Sequence, residues 1–407
     1  MVAALASWRG AELAERFQTI HAFLQRFEPF WRSHAFRSPL LPWEAQFPAL
    51  AQRLRALTLE TAEAGAESDA LSLELLGDDI PELAAMCAAI ALPPLSAEAL
   101  PPLAEAVGVP GRKWLQLQAF GAHVPVAGAT LLEWCAGKSH LGRLLARLQQ
   151  RGVLALEWSE QLVADGVQQA AREQLPVSFQ CIDVLRPEAT ALLQREHDVV
   201  ALHACGELHL QLLRGCAQRQ PRTLTLAPCC YQLIASERYA PLSALAQRCD
   251  LDLGPHDLRT AVRDSVTSPA RVQQQRRTLQ AWRLGFDRWQ RETRGCDDYL
   301  PTPSLPLSVV RDGFAAFCRE QAERNGLDAS SMDMARYERE GWERLREVAA
   351  LDVARIAFRR PLEMWLVLDR ALYLQQHVYD VELGTFCFRA LSPRNILIRA
   401  RAISVEE

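Results

Sequence analysis

The spacing of apolar positions changes along the chain. Residues 1 to about 105 carry apolar side chains at helical intervals, as in WRGAELAERFQTIHAFLQRFEPFWRSH, and we expect packed helices there. From about 110 to 235, short apolar runs alternate with helical stretches. Residues 236 to about 350 return to helical spacing, and the chain ends in a helix-like segment followed by two strand-like runs.

The apolar runs in the middle of the chain predict buried β-strands. Helical sequence separates them, which is typical of a parallel sheet with helices on both faces. In such folds, ligands bind at the carboxyl ends of the strands. The runs are ATLLEW, VLALEW, VSFQCIDV, DVVALHA and TLTLAP. The two late strand-like runs predict a closing hairpin, which a plain dehydrogenase fold lacks.

Composition narrows the class of protein. The chain has 407 residues, of which 49% are hydrophobic, so it can bury a full core. A net charge of −4 argues against a globally basic nucleic-acid binder but leaves room for a local basic patch. The 11 cysteines form no C-x-x-C pair, which favours a reducing compartment over a disulfide framework. We find no secretory signal and no membrane span, and expect a cytoplasmic protein.

Only two lysines occur in the sequence, Lys113 and Lys138, because arginine stands almost everywhere else. That usage is typical of a GC-rich genome, and we expect a bacterial source. Both lysines lie close to the first predicted strand. Either this is coincidence, or a flexible point charge is needed there and a planar guanidinium does not fit.

The stretch TLLEWCAGKSHLGRLLA predicts a strand, a tight turn and a helix, an arrangement that binds nucleotide cofactors. Only Gly137 is a glycine in this turn. Glycine suits such a turn best, but Cys135 and Ser139 are small and fit there if φ stays negative. Glu133 closes the first strand, and Glu157, 20 residues after Gly137, ends the second, at the distance expected for an acid that binds a ribose.

A third acid, Asp183, ends the third strand and could accept a hydrogen bond from an adenine amino group. One such acid alone is more often a solvated loop charge, but one at each of three consecutive strand ends favours a nucleotide site. Both NAD and S-adenosylmethionine fit this pattern. The late hairpin and the absence of a second nucleotide-binding half favour S-adenosylmethionine.

Four segments carry a resemblance to a known family. EWCAGKSHLGRLLA, LHACGELHLQLLR, PCCYQLI and the pair DRALYLQQHV with SPRNILIRA are similar to motifs of one S-adenosylmethionine-dependent methyltransferase domain. That domain is shared by several methyltransferase-like proteins and by a glutathione-transferase C-terminal-domain-containing protein. VPGRKW is also similar to a Lys-Lys stretch that precedes the domain. The resemblance covers roughly residues 108–235 and 360–402.

The resemblance implies an α/β fold of the class I (Rossmann-like) methyltransferase type, with a seven-stranded sheet. Together with the helical spacing of the flanking segments, it indicates four parts, namely an N-terminal helical domain (1–107), a methyltransferase core (108–235), a helical insertion (236–350), and a C-terminal helix and hairpin that complete the core (351–407). The cofactor would be S-adenosyl-L-methionine. The candidate cofactor-binding residues are Lys113, Glu133, Cys135, Gly137, Lys138, His140, Leu141, Glu157, Asp183, His203 and Cys205.

The methyl acceptor is expected at the ends of the fourth and fifth strands. The candidate catalytic residues there are His203, Glu207, Cys229, Cys230, Tyr231 and Gln232. Proline followed by polar or aromatic residues can place carbonyls around an acceptor amine, with Tyr231 stacking on a base. Alternatively, the cysteines are buried packing residues, or one is a nucleophile towards a pyrimidine ring with Glu207 as its acidic partner.

Two further alternatives concern the same residues. A zinc site of His203, Cys205, Cys229 and Cys230 is conceivable across two strand ends, but it lacks C-x-x-C spacing, so we predict no metal. Gln232 stands where the family has histidine, and the turn lacks two glycines of the family motif. A non-catalytic domain that keeps the fold therefore remains an alternative.

The substrate class depends on one basic segment. Residues 271–294 contain seven arginines and two acids, with Trp282 and Trp289 between them. This favours an RNA backbone as partner, with ribosomal or transfer RNA as acceptor. The candidate basic surface is Arg271, Arg276, Arg277, Arg283 and Arg288. A solvated helix with tryptophans in the core, and a protein acceptor linked to translation, are the alternatives. We expect no membrane partner.

Overall fold

The computed structural model describes residues 7–98, 100–101, 109–263, 270–305 and 310–403. Parts of all four predicted domains lie outside the described residues: residues 1–6, 99 and 102–107 in the N-terminal domain, residue 108 in the core, residues 264–269 and 306–309 in the insertion, and residues 404–407 in the C-terminal part.

One eight-stranded sheet forms the centre of the fold, in the order β1-β7-β8-β6-β5-β2-β3-β4. The strands from β6 to β4 are parallel, and β8 is antiparallel to both β6 and β7. The strands are β1 Trp8–Arg9, β2 Thr130–Trp134, β3 Val153–Glu157, β4 Val177–Cys181, β5 His197–Cys205, β6 Thr223–Cys229, β7 Tyr379–Thr385 and β8 Ile396–Ala402.

This architecture confirms the predicted α/β fold and the antiparallel closing hairpin. The one difference is the number of strands, because the short β1 pairs with β7 at the edge and makes eight rather than seven. The order also fixes where a ligand can bind. From β2 the chain proceeds to β3 and β4 on one side, then crosses to β5 and β6 on the other. A crevice forms at such a reversal, outside the carboxyl ends of β2 and β5.

The strands are continuous apolar runs because helices cover both faces of the sheet. Leu131, Leu132, Val199 and Val200 are fully buried. Below them, the buried Asp198 accepts hydrogen bonds from the amides of residues 127 and 128 and from a threonine hydroxyl on β6. These bonds tie together the amino ends of β2, β5 and β6, so the carboxyl ends lie in a fixed register.

The helices follow the predicted spacing. They are α1 Glu12–Arg26, α2 Glu28–Trp31, α3 Pro48–Arg55, α4 Leu59–Glu67, α5 Asp69–Leu76, α6 Pro81–Ala89, α7 Gly111–Gly121, α8 His140–Gln149, α9 Glu160–Arg172, α10 Pro187–Thr190, α11 Glu207–Arg219, α12 Ala244–Gln247, α13 Pro255–Ala261, α14 Ala270–Arg294, α15 Phe314–Arg324, α16 Met334–Ile356 and α17 Arg359–Gln376, with a 3-10 turn at Pro42–Ala45. In the described part of the chain, none of these helices is long and apolar enough to cross a membrane.

The chain forms two compact units whose boundaries differ from the four predicted domains. One unit contains residues 1–26, 87–262 and 361–407, and includes the sheet. The other contains 27–86 and 263–360 and is helical. Within the helical unit, α16 packs against both α4 and α14. At the α14–α16 contact, a β-carbon on Gly341 would lie 2.3 Å from the Ala281 carbonyl oxygen, so the two backbones touch. This packing unites segments that are distant in sequence.

Candidate functional site at the strand ends

The turn after β2 contains three residues with left-handed backbone. Cys135 has φ of 57°, Gly137 of 58° and Ser139 of 52°. Cys135 and Ser139 therefore do not meet the condition of negative φ under which the sequence allowed them in this turn. Left-handed backbone costs a residue with a β-carbon about 1–2 kcal/mol, so other contacts must stabilise the turn.

Glu133 supplies part of that stabilisation. Its Oε2 accepts a hydrogen bond of 2.5 Å from the Ser139 hydroxyl and one of 3.0 Å from the Gly142 amide. Burial raises the pKa of this carboxyl to about 7, while the two hydrogen bonds oppose the rise. A β-carbon on Gly142 would lie 2.5 Å from Glu133 Oε2, so only glycine leaves room there. We did not predict Gly142, although an isolated glycine inside a helical pattern was a signal for close packing.

Glu157 holds the same turn from the next strand. Its Oε2 accepts a hydrogen bond of 2.9 Å from the Gly137 amide, and its Oε1 accepts one of 3.0 Å from the Ser159 amide. The 20-residue spacing thus corresponds to a direct contact. Each carboxylate oxygen keeps a further lone pair that could accept a ligand hydroxyl. Asp183 is exposed, lies beyond the end of β4, and accepts a hydrogen bond from the Leu185 amide.

A cavity of about 290 Å³ opens beside this turn. It brings together predicted cofactor residues from α7, β2, the turn, α8 and β5. They are Lys113, Glu133, Cys135, Gly137, Lys138, His140, Leu141 and His203. Glu157, Asp183 and Cys205 do not line it. The apolar lining residues Leu117, Leu162 and Leu202 were not predicted, because nothing distinguishes them in sequence from core leucines.

Both lysines of the sequence line this cavity. Lys138 is paired with Asp165 at 2.7 Å on α9. Burial, together with the nearby charge of Lys113, lowers the pKa of His140 to about 4. Burial also lowers the pKa of His203. Both imidazoles are therefore neutral at pH 7, and the positive charge facing the cavity comes from Lys113, because Lys138 is paired with Asp165. A carboxylate of a ligand would find a suitable partner here.

The other end of the crevice is formed by a bulge. The pairing of β5 with β6 shifts between Leu202 and Cys205, and His203 has φ of 70°. Beyond the bulge, Cys205 lies opposite Cys229, with 3.4 Å between their sulfur atoms. Cys230 follows with φ of 49°, and the three sulfurs lie within 4.8 Å of one another. Hydrogen bonds from the other two thiols hold the pKa of Cys230 well below its usual range.

Gly206 locks this bulge to the loop after β6. Its φ is 53°, and a β-carbon there would lie 2.0 Å from the Leu233 carbonyl oxygen. The Gly206 amide donates to Cys229 O at 3.1 Å, and the Glu207 amide donates to Leu233 O at 2.7 Å. The Glu207 carboxylate is paired with Arg214 at 2.6 Å, so its charge is already compensated.

Tyr231 does not have the predicted role. Its side chain is 0% exposed, so it cannot stack on a substrate base, and this part of the prediction is wrong. The Arg370 guanidinium lies over its ring at 4.9 Å, and His209 meets the ring edge-on. Among the described residues, its buried hydroxyl has no hydrogen-bond partner, and neither has the buried Oε1 of Gln232.

Two segments near the C-terminal end of the chain form hydrogen bonds around the site. In DRALYLQQHV, Asp369 accepts hydrogen bonds from Tyr239 Oη at 2.6 Å and from two backbone amides. Arg370 Nε donates to His209 Nε2 at 2.9 Å. In SPRN, the Ser392 hydroxyl accepts from Gln116, whose Oε1 lies 3.2 Å from His203 Nε2. Gln116 was not predicted, because a glutamine on a helix gives no signal by itself.

Only part of the predicted basic surface is both exposed and without an ion pair among the described residues. Trp282 and Trp289 are 7% and 3% exposed and pack in the core of the helical unit, so they do not interleave with arginines on a surface. Arg277 is paired with Glu63, and Arg288 with Glu292. Arg283 is half-buried. Arg271 and Arg276 are exposed and have no ion pair within the described residues.

Comparison with known proteins identifies part of the sheet-containing unit. Residues 120–237 match a family model described as "Methyltransferase domain". No curated protein matches the chain. The matched segment begins in α7 and ends after the CCY loop, so it includes the turn, the cavity residues after Phe120, and the cysteine cluster.

Solved structures are similar at low identity. A geranyl diphosphate methyltransferase in complex with GPP and sinefungin is 14% identical, covering 35% of this chain and 59% of its own, with a TM-score of 0.25. The cyclopropane synthase MmaA2 from Mycobacterium tuberculosis is 11% identical, covering 73% and 86%, with a TM-score of 0.25. A structure described as "Conversion of a Disulfide Bond into a Thioacetal Group during Echinomycin Biosynthesis" is 18% identical, covering 28% of this chain and 46% of its own, with a TM-score of 0.22.

The chain thus spans 46% of the length of the echinomycin-related structure and 59% of the length of the geranyl diphosphate methyltransferase. These likenesses leave the substrate open. The family match supports a narrower conclusion, which is that residues 120–237, the parallel part of the sheet, are similar to a methyltransferase domain.

Proposed function

We propose that the protein is an S-adenosylmethionine-dependent methyltransferase whose cofactor binds in the crevice between β2 and β5. One observation carries the proposal. The Gly137 amide is bonded to Glu157, and this turn borders the cavity that both lysines line. The Glu157 carboxylate could accept hydrogen bonds from the cofactor's hydroxyl groups, and the Lys113 ammonium and the helix N-terminus could face its carboxylate.

The chain's own residues would position that cofactor. Glu157 has lone pairs available for ribose hydroxyls. Lys113 and the amino end of α8 would face the carboxylate of the methionine portion. When bound, S-adenosylmethionine supplies an activated methyl group, so the protein needs only to align an acceptor in line with the methyl and to exclude water. His203, at the edge of the cavity, is neutral and could accept a proton from an acceptor.

RNA is the acceptor that we propose, on the strength of the basic helix α14. Arg271 and Arg276 are exposed on that helix and available to phosphates. The support is narrower than the sequence suggested, since the tryptophans are buried and Arg277 and Arg288 are paired. That pairing specifically favours the second candidate, a protein acceptor, because a largely compensated helix attracts a phosphate backbone weakly.

The test is transfer of labelled methyl from S-adenosylmethionine into extract from cells that lack the gene. The products are divided into RNase-sensitive and protease-sensitive label. A variant with Arg271→Glu and Arg276→Glu is compared with Arg319→Glu, an exposed arginine on α15. We expect RNase-sensitive label that the double variant reduces and the control does not.

Each outcome is informative. Label that only protease removes would replace RNA by a protein acceptor. RNase-sensitive label with the double variant unaffected would remove α14 as the RNA surface. No label in either fraction, with intact S-adenosylmethionine binding, would favour the non-catalytic alternative.

A further inference from the structure

We propose that the thiols of Cys205, Cys229 and Cys230 form a binding site for a zinc ion. The site is distinct from the cofactor cavity and does not depend on methyl transfer. The sequence predicted no metal here, because the three cysteines lack C-x-x-C spacing. The backbone brings them together in a different way.

The distances suit a tetrahedral thiolate site. Cys205 and Cys229 sulfurs are 3.4 Å apart, and all three sulfurs lie within 4.8 Å of one another. A Zn–S bond is about 2.3 Å, which places two sulfurs of a tetrahedral site about 3.8 Å apart. The Cys205–Cys229 separation is about 0.4 Å shorter than that value, and the other sulfur separations do not exceed 4.8 Å. The three sulfurs therefore already lie close to the spacing that one shared ion requires.

The backbone around the thiols is fixed in advance. The bulge in β5 places Cys205 opposite Cys229, and the Gly206 amide bonds to the Cys229 carbonyl. The Leu233 amide donates to Cys230 O at 3.0 Å, which closes the turn that carries Cys230. A site held by a β-bulge and a tight turn needs little reorganisation to bind an ion. Preorganisation of this kind raises affinity.

The chemistry of the donors selects the metal. Three thiolates are soft ligands, which suit zinc and exclude magnesium and calcium. Within the described residues, no other group of three or more histidine, cysteine or acidic side chains has this geometry. Binding would displace the thiol protons to solvent as Zn–S bonds form. Three protein ligands leave the fourth position open to water or to an acceptor atom.

His203 is not part of the proposed ligand set. Its Nε2 lies 3.2 Å from Gln116 Oε1, and it is absent from the group of close ligand atoms. The set therefore differs from the four-ligand site considered from sequence. A disulfide between Cys205 and Cys229 is the state that would compete with metal binding. To form it, the two sulfur atoms would have to approach from 3.4 Å to about 2.05 Å.

The experiment measures metal on the full chain, purified with a thiol reductant and without chelator. Zinc content is determined by mass spectrometry, and Co²⁺ is then exchanged in, because cobalt thiolates absorb in the near ultraviolet. We expect a single equivalent of zinc and a cobalt–thiolate band. Cys205→Ser, Cys229→Ser and Cys230→Ser should each weaken metal binding more than about tenfold. Cys181→Ser, an exposed cysteine at the end of β4, is the matched control.

A second measurement needs no variant and so does not depend on how the serine variants fold. Alkylation of each cysteine by iodoacetamide is followed by peptide mass spectrometry, with and without added zinc. Zinc should slow alkylation of Cys205 and Cys230 and leave Cys181 unchanged. Equal alkylation with and without zinc, with no cobalt–thiolate band, would overturn the proposal. A Cys205–Cys229 disulfide in the reduced preparation would also overturn it.

Discussion

The two ends of the crevice use the same backbone device for different purposes. At the cofactor turn, Cys135 and Ser139 are left-handed, and at the bulge and the turn after β6, His203 and Cys230 are. In the cofactor turn, carboxylates from β2 and β3 bond the turn's own groups. At the other end, the three thiols contact one another and Gln232 Oε1 has no partner among the described residues. At the first end a ligand would use the lone pairs that the carboxylates retain, whereas the second end offers the three thiols and the unpartnered amide oxygen of Gln232.

The largest loss of stability is expected at the close backbone contact between Gly206 and Leu233. Gly206→Ala would bring a β-carbon to 2.0 Å from the Leu233 carbonyl oxygen in a left-handed residue. We expect the free energy of unfolding to fall by roughly 4 kcal/mol, from overpacking and backbone strain together. Gly10→Ala is the control, since Gly10 shares the left-handed φ but has no atom within 4 Å of the added carbon. It should cost about 1 kcal/mol. Urea unfolding measures both, and equal losses would show that the close approach is not rigid.

The next effect tests the buried carboxyl of the cofactor turn. Burial raises the pKa of Glu133 from 4.5 to about 7, so between these values the folded chain keeps a proton that the unfolded chain has released. The group's contribution to stability is therefore full below pH 4.5 and is lost as the pH rises to 7, by at most about 3 kcal/mol. Glu133→Gln should flatten this part of the stability curve. Glu188→Gln, at an exposed position, should leave the curve as it is in the wild type.

A smaller effect separates the two left-handed residues of the turn. Cys135→Gly relieves the strain of a left-handed residue, and Cys135 makes no hydrogen bond to Glu133 that could be lost. The free energy of unfolding should therefore rise by up to about 1 kcal/mol. Ser139→Gly removes similar strain but also the 2.5 Å bond to Glu133, and we expect it to be neutral or destabilising. Thermal unfolding of both variants at pH 7 makes the comparison. A larger gain for Ser139→Gly than for Cys135→Gly would mean that the hydroxyl does not stabilise the turn.

Much of the fold could be predicted from sequence, because both faces of the sheet are covered and its strands are continuous apolar runs. The spacing of Gly137 and Glu157 placed both at neighbouring strand ends, but their direct hydrogen bond was not predicted, and the ribose role of Glu157 stays a prediction. The two-residue β1 is too short to produce a pattern. The compact helical unit depends on packing between distant segments, which periodicity does not encode.

The errors in the site have identifiable physical causes. Tyr231 was predicted to stack on a base because it follows the proline of the PCCY segment at a strand end, but Arg370, far along the chain, lies over its ring. The cysteine cluster depends on a one-residue shift in pairing between β5 and β6, and the sequence of either strand alone carries no sign of that shift. Backbone signs, such as φ at Cys135, are not encoded by residue type when the residue is not glycine.

The central claim is that the crevice beside Glu157 binds S-adenosylmethionine, and calorimetric titration of the cofactor tests it most directly. Glu157→Ala is compared with the wild type and with Glu160→Ala, an exposed acid at the start of α9. Because hydrogen bonds to a charged acceptor contribute about 1.5–3 kcal/mol each, we expect Glu157→Ala to weaken binding roughly a hundredfold. The control should bind as the wild type does. Measurable wild-type binding that Glu157→Ala leaves unchanged, in a variant that unfolds cooperatively, would contradict the account.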